Sequence, residues 1–226
     1  MHTQKNTIRL VLADDHALTR LGIRQALEAA PDIEVVGEAE NGDQAQALVA
    51  ELRPDVVLLD LVMPGRRAYE VEAWVRMNCP ETVALILTGH HRERFLAQAV
   101  NQGVQGYLTK EQGCDHLIDA IRRAAGGECL LTDEQIELAE RWNREVWQPW
   151  YALSNRERQV LCLMARGLEN SAIANHLEIG AKTVEFHSKH IFVKLGASSR
   201  AQATAWLFTY LPEEVQADGE DGPARF

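Results

Sequence analysis

No apolar run in this chain approaches the length of a membrane span, and the amino terminus places Lys5 and Arg9 around a hydrophobic stretch too short for a signal-peptide core. These absences predict a protein of the cytoplasm without membrane attachment. Only four cysteines occur, Cys79, Cys114, Cys129 and Cys162, and no two form a Cys-x-x-Cys pair. That argues against a disulfide framework or a thiolate metal site, and for thiols kept reduced. Positive charge is scarce as well: 23 Lys and Arg face 33 Asp and Glu, for a net charge of −10. The deficit is uneven. Residues 1–125 hold 13 basic and 18 acidic side chains, 126–150 hold 2 and 6, and 211–226 hold 1 and 5, whereas 151–210 hold 7 and 4. An acidic protein with one modestly basic block is compatible with nucleic-acid binding confined to that block.

What is present is enough to build a core: 226 residues, 46% of them apolar, fit one large domain or two small ones. The segment Pro54 to Gly65, PDVVLLDLVMPG, organises the first half. Asp55 to Leu59 is an almost unbroken aliphatic run that suits a strand buried on both faces of a parallel sheet, and it delivers Asp60 at its carboxyl end. Pro64-Gly65 then turns the chain. Around this strand the pattern alternates. Apolar strands are predicted at Ile8–Ala13, Ile33–Gly37, Val83–Leu87 and Gln105–Thr109, and amphipathic helices at Ala17–Ala30, from Asn41-Gly42 to Leu52, after Gly65, through Phe95–Val100, and through Leu117–Ala125. Five strands joined by short links to five helices predict an α/β fold, a doubly wound five-stranded parallel sheet with right-handed crossovers.

In such a sheet the strand ends meet at one edge, where ligands bind. Four of the five ends here are polar: Asp14 and Asp15, Asp60, Thr88, and Lys110. For Asp60 alone the alternative is a loop carboxylate that caps the next helix, but helix capping does not account for the whole set. Three carboxylates call for a cation, and an oxygen-only set suits Mg²⁺. Asp60 is then a nucleophile for a phosphoryl group, with Lys110 as a point charge and Thr88 as a hydroxyl donor. Turnover would need a nearby general acid or base, and Val62 is neither. Storage of a phosphoryl group is favoured over phosphohydrolysis. His90 is a candidate for orienting water, against the alternative of a solvated loop histidine.

The order Asp14-Asp15, Asp60 with Met63-Pro64-Gly65, Thr88, then Gly106-Tyr107-Leu108 and Lys110 resembles the receiver domain of bacterial response regulators, over residues 8 to about 125. The resemblance implies a sensor histidine kinase as phosphodonor and Asp60 as acceptor. It further implies Asp15 as a direct and Asp14 as a water-mediated Mg²⁺ contact, the Val62 carbonyl as another ligand, and Thr88 with Tyr107 as a switch pair. Ala17 and Arg66-Arg67-Ala68 depart from the family pattern near the kinase-facing surface.

Gly126-Gly127 ends the fifth helix, and Thr132 to Gln135 reads as a capping box. The segment 126–150 is predicted to be a linker containing a helix, with Trp142, Trp147 and Trp150 giving it something to pack. From Ser154 the pattern changes to short helices without strands, so a second, all-α domain is expected over 151–211. Ser154 and Glu157 form another capping box, Asn170–Leu177 is a short helix, and Ile179-Gly180 turns into a helix from Lys182 to Leu195. That is a helix-turn-helix arrangement. Val184, Ser188, Ile191 and Leu195 share its inner face, leaving Lys182, Glu185, Phe186 and Lys189 outward for phosphates and base edges. A solvated helix face is the alternative.

The run Leu153-Ser154, Arg156-Glu157-Arg158, Val160-Leu161, Gly167, Ile173-Ala174, Lys182-Thr183-Val184, His187 and Lys194-Leu195-Gly196 resembles the LuxR-type DNA-binding domain. This implies DNA recognition by the third helix, with Thr183 joining Lys182, Glu185, Phe186 and Lys189, and dimerisation through a fourth helix from Ser199 to Leu211. The whole resembles a response regulator of the NarL/FixJ class, which implies promoter DNA, a homodimer when phosphorylated, and RNA polymerase as further partners. A constitutive DNA-binding regulator with a vestigial acidic site is the alternative. Residues 212–226, acidic with glycine and proline, are expected to form an unstructured tail.

Overall fold

The computed structural model describes residues 7–89 and 92–216, which fall into two compact units that divide between Glu140 and Arg141. His90 and residues 217–226 lie outside the described residues. In the first unit β1 (Ile8–Ala13), α1 (Ala17–Leu27), β2 (Ile33–Ala39), α2 (Gly42–Leu52), β3 (Val56–Asp60), α3 (Ala68–Asn78), β4 (Val83–Thr88), α4 (Glu93–Gln102), β5 (Gly106–Thr109) and α5 (Cys114–Ala125) alternate. Every pairing is parallel, in the order β2-β1-β3-β4-β5.

The aliphatic strands divide their side chains by alternation, as the pleat requires. Val11, Val57, Leu59 and Ile86 pack with α2, α3 and α4 through Ala45, Val49, Val71, Val75, Leu96 and Ala99. Leu10, Leu12, Leu58, Leu85 and Leu87 face the other way, against Leu27 of α1 and Leu117, Ile121 and Ala124 of α5. Helix α1 stops at Leu27, short of the expected Ala30, because Pro31 disfavours helical backbone at the residue before it and Glu28–Ala30 close into a turn. Strand β2 runs on to Ala39, past a register shift opposite Leu10 and Val11.

The loop leaving Asp60 is braced on the start of α2. The Gly42 N–H donates to the Pro64 carbonyl at 3.2 Å, and the Asp43 carboxylate accepts from the Arg66 N–H at 3.3 Å and from its Nε at 3.4 Å. The fit leaves no room for a side chain at residue 42, where a Cβ would lie 1.8 Å from the Arg66 carbonyl oxygen.

The segment expected to be a linker, 126–150, is divided between the units. Its first part seals the outer edge of β5: the Leu130 N–H donates to the Gln105 carbonyl at 2.7 Å and Gln135 Nε2 to the Tyr107 carbonyl at 3.0 Å. Edge strands carry unpaired backbone groups, and these bonds satisfy two of them. Thr132 and Gln135 form the reciprocal cap of α6 (Asp133–Trp142).

The second unit contains a π-helical turn at Asn143–Trp147, α7 (Gln148–Ala152), α8 (Asn155–Ala165), α9 (Asn170–His176), α10 (Ala181–Leu195) and α11 (Arg200–Tyr210). The tryptophans belong to its core: Trp150 is fully buried beneath the Arg158 guanidinium, and Trp142 meets Tyr210 edge-on at 5.7 Å. Ser154 caps α8 with Glu157, whose buried carboxylate pairs with Lys194 at 2.7 Å. In the turn between α9 and α10 the left-handed residue is Glu178 (φ 53°), while Gly180 serves as the N-cap of α10. The chain beyond Leu211 departs from the expected unstructured tail at its start. Pro212–Val215 form a 3₁₀ turn, because Val215 is apolar enough to bury and its carbonyl accepts from Arg166 Nε at 2.8 Å.

Gly42→Ala is expected to destabilise the first unit by about 1–3 kcal/mol, the range of small overpacking changes. Gly22→Ala in α1, where an added Cβ meets nothing within 4 Å, should instead be neutral or stabilising. Urea denaturation of both variants checks the pair.

Candidate functional site

The register of the parallel strands brings the polar ends together. Ala13 pairs with Leu59, Asp60 with Leu87 and Thr88 with Thr109, so Asp14, Asp60, Thr88 and Lys110 emerge along one edge. Lys110 Nζ lies 2.7 Å from Asp14 Oδ2 and 3.0 Å from Asp60 Oδ1. Asp60 Oδ1 also accepts from the Leu61 N–H at 3.0 Å. Ligand atoms of Asp14, Asp15, His16 and Asp60 all fall within 4.8 Å of one another. Asp14 and Asp60 are buried, and Asp15 is exposed with its carboxylate 2.7 Å from His16 Nδ1.

A single lysine shared by two buried carboxylates does not balance them. Burial raises the Asp60 carboxyl above its ordinary value, with Lys110 pulling it down and Asp14 adding to the rise. Burial also works against the Lys110 charge, yet the two carboxylates together hold it above the usual lysine value. The two directions agree physically: Lys110 stays protonated, and the Asp60 charge is under-compensated because Asp14 claims the same ammonium. An oxygen-rich, net negative cluster of this kind fits a hard divalent cation.

Thr88 is fully buried at the end of β4, and Tyr107 on the adjacent strand is buried as well. Burial pushes the Tyr107 phenol up to about 12, with the Thr88 side chain pulling the other way. Among the described residues its hydroxyl has no hydrogen bond of good geometry. Val62 sits in the exposed loop after Asp60.

Two residues at this edge escaped the sequence reading. His16 follows Asp14-Asp15 directly, and that adjacency was the available signal. Arg20, whose Nη1 donates to the Asp14 carbonyl at 2.6 Å, carries no signal in any apolar period.

On α10, Val184, Ser188 and Ile191 are buried, and Lys182, Thr183, Glu185, Phe186 and Lys189 are all exposed. Phe186 stands clear of the core at 58% exposure, with the His190 ring edge-on to it at 4.2 Å. His190 was not singled out from the sequence, although it lies four residues beyond Phe186, on the same side of the helix.

Residues 10–122 match the response regulator receiver domain family, and residues 151–207 match the luxR family of bacterial regulatory proteins. The chain is 36% identical over 202 residues to the nitrate/nitrite response regulator protein NarL of Escherichia coli, covering 88% of this chain and 94% of that protein. To the response regulator protein VraR of Staphylococcus aureus it is 32% identical over 204 residues, covering 90% and 98%. Among solved structures, two RcsB dimers bound to two parallel DNAs superpose with a TM-score of 0.59 at 25% identity, over 89% of this chain and 98% of that one.

The raised Asp60 value sets a pH dependence. The folded state holds the Asp60 proton more tightly than the unfolded chain, so stability falls as pH rises through the window between the unfolded and folded values, and the ionised group is a net cost above it. Asp60→Asn should therefore melt a few degrees above the wild type at pH 7 without divalent cations. The gain should shrink as pH falls through that window, as calorimetry across the carboxylate range would show.

Proposed function

The chain belongs to the response regulators that join a receiver domain to a LuxR-type DNA-binding domain, and from that membership we propose that Asp60 accepts a phosphoryl group and thereby controls binding to promoter DNA. The observation that carries this reading is the placement of Asp60, a buried and under-compensated carboxylate, 3.0 Å from the Lys110 ammonium at the sheet edge. The receiver is assigned to residues 1–125 and the DNA-binding domain to 151–211, with 126–150 connecting them.

Asp14, Asp15, Asp60 and the Val62 carbonyl would hold Mg²⁺, which supplies positive charge to an otherwise repulsive cluster when bound. The protein's own groups do the rest. An Asp60 oxygen attacks phosphorus, and the bond from phosphorus to the imidazole nitrogen of the donor, a sensor histidine kinase, breaks with its electrons going to that nitrogen. Lys110 and the Thr88 hydroxyl then face the new phosphoryl oxygens. Val62 offers no group to activate water, which favours storage over turnover.

Phosphorylation replaces one carboxylate charge by a larger one and draws Lys110 and Thr88 towards it. Thr88 and Tyr107 lie on paired strands, so the shift is expected to reach β5 and the α4 and α5 faces beside it. The outcome is a homodimer whose α10 helices reach two half-sites about one DNA turn apart, in line with the dimers and DNA in the RcsB assembly. On α10, Lys182 and Lys189 supply phosphate contacts, and Thr183, Glu185 and Phe186 supply contacts to bases. No helix among the described residues is long and apolar enough to cross a membrane; the site of action is assigned to the cytoplasm, with RNA polymerase as the downstream partner.

Intact mass after treatment with a small-molecule phosphodonor and Mg²⁺ should show one added phosphoryl group, absent in Asp60→Ala. An equal adduct in the variant, or DNA affinity indifferent to the treatment, would sink the proposal in favour of a constitutive DNA binder. Lys189→Ala is expected to weaken DNA binding across sequences and to reduce the slope of log K against log salt by about one. Binding titrations at several salt concentrations measure both.

A further inference from the structure

Asp14 is held at each of its polar atoms. Its N–H donates to the Ala39 carbonyl at 3.1 Å, its Oδ1 accepts from the His16 N–H at 2.8 Å, and its Oδ2 accepts from Lys110 Nζ at 2.7 Å. The remaining atom, the backbone carbonyl, accepts from Arg20 Nη1 at 2.6 Å. Arg20 lies in the first turns of α1 and its side chain is largely buried, at 11% exposure. Two acids at the end of β2 engage its other nitrogens, Glu38 Oε2 at 3.2 Å from Nε and Glu40 Oε1 at 2.8 Å from Nη2. Both acids are themselves tethered: Glu38 lies 3.5 Å from Arg24 Nε, and the Glu40 N–H donates to Gln44 Oε1 at 2.9 Å.

A planar guanidinium gripped on three sides has little freedom to rotate, so the direction of the Asp14 carbonyl is set from β2. That carbonyl belongs to the peptide leading into Asp15, the most open carboxylate of the cluster. The N-cap position of α1, His16, makes no side-chain cap hydrogen bond, so the start of the helix does not fix the turn by that means. Resting on the reading of this edge as a cation-assisted phosphoryl site, we infer that Arg20 is a positioning residue that sets the Asp14-Asp15 turn for cation binding, acting through the Asp14 carbonyl rather than through its charge.

The sign of the electrostatics separates the two roles. A guanidinium bonded to the Asp14 carbonyl brings positive charge near the cluster and lessens its attraction for a cation, so losing it for its charge alone would tighten cation binding. Losing a brace loosens it, and partners that orient metal ligands are worth about 10–100-fold in metal affinity. Arg20→Lys keeps the charge and gives up the three-sided grip, so it separates the brace from the charge.

The test titrates Mg²⁺ into full-length wild type, Arg20→Gln and Arg20→Lys by calorimetry, with metal-free hydrogen exchange at the His16 amide and phosphodonor labelling of the wild type alongside. Both variants should bind Mg²⁺ about tenfold more weakly and exchange the His16 amide faster. Unchanged or tighter Mg²⁺ binding in the variants, with a wild type that binds the ion and takes the phosphoryl group, overturns the role of Arg20 and leaves the function standing. A wild type that neither binds Mg²⁺ nor takes the phosphoryl group overturns both. Should Arg20→Gln fail to fold, Arg20→Lys decides by the same criterion.

Discussion

One ammonium group, Lys110 Nζ, stands between two buried carboxylates, 2.7 Å from Asp14 and 3.0 Å from Asp60. The arrangement is tolerable because Lys110 keeps its proton, and incomplete because one positive charge cannot offset two buried negative ones and the Asp15 carboxylate beside them. Burial raises the Asp60 carboxyl above its ordinary value in spite of the Lys110 ammonium beside it. A site in that condition gains from any added positive charge.

The sheet makes this possible by geometry. Parallel strands deliver all their carboxyl ends to one edge, and alternating side chains fill both faces of the sheet with aliphatic residues. The strands are therefore buried supports for the polar cluster at their ends and for the loops that follow them. Two of those loops are tied from outside: the β3–α3 loop by Gly42 and Asp43 of α2, and the β1–α1 turn by Arg20 and the acids ending β2. The far edge is sealed by the residues following α5, whose bonds reach the carbonyls of Gln105 and Tyr107.

The second unit is held by different means. It is a small helical unit, and the aromatic residues of 142–151 add apolar area that such a unit otherwise lacks. The buried Glu157–Lys194 pair joins the start of α8 to the end of α10, so the helix carrying the exposed Lys182, Phe186 and Lys189 is anchored at its far end. The sheet-edge cluster and the exposed face of α10 thus rest on separate cores, and the chain between them is divided by what its residues can bury: Leu130, Leu131 and Leu138 with the first core, Trp142, Trp147 and Trp150 with the second.

Most of the fold was legible in the residue order, because strand ends, helix periods and caps are local patterns. Asp60 after an aliphatic run, Ser154 with Glu157, and the alternation of five strands with five helices all depend on neighbours a few residues away. The family motifs likewise marked Asp14, Asp15, Asp60, Thr88 and Lys110 as one constellation. Contacts that no local pattern encodes were not legible: Arg20 on the Asp14 carbonyl, the closeness of Gly42 to Arg66, the left-handed Glu178, and the 3₁₀ turn of Pro212–Val215. By itself the sequence determined which residues form strands and helices and which polar groups stand at their ends, since those follow from the period of the chain and the chemistry of each side chain. Only the tertiary structure decided how far one lysine is shared between two carboxylates and which side chains brace the loops, because those depend on distances between residues as much as 96 positions apart.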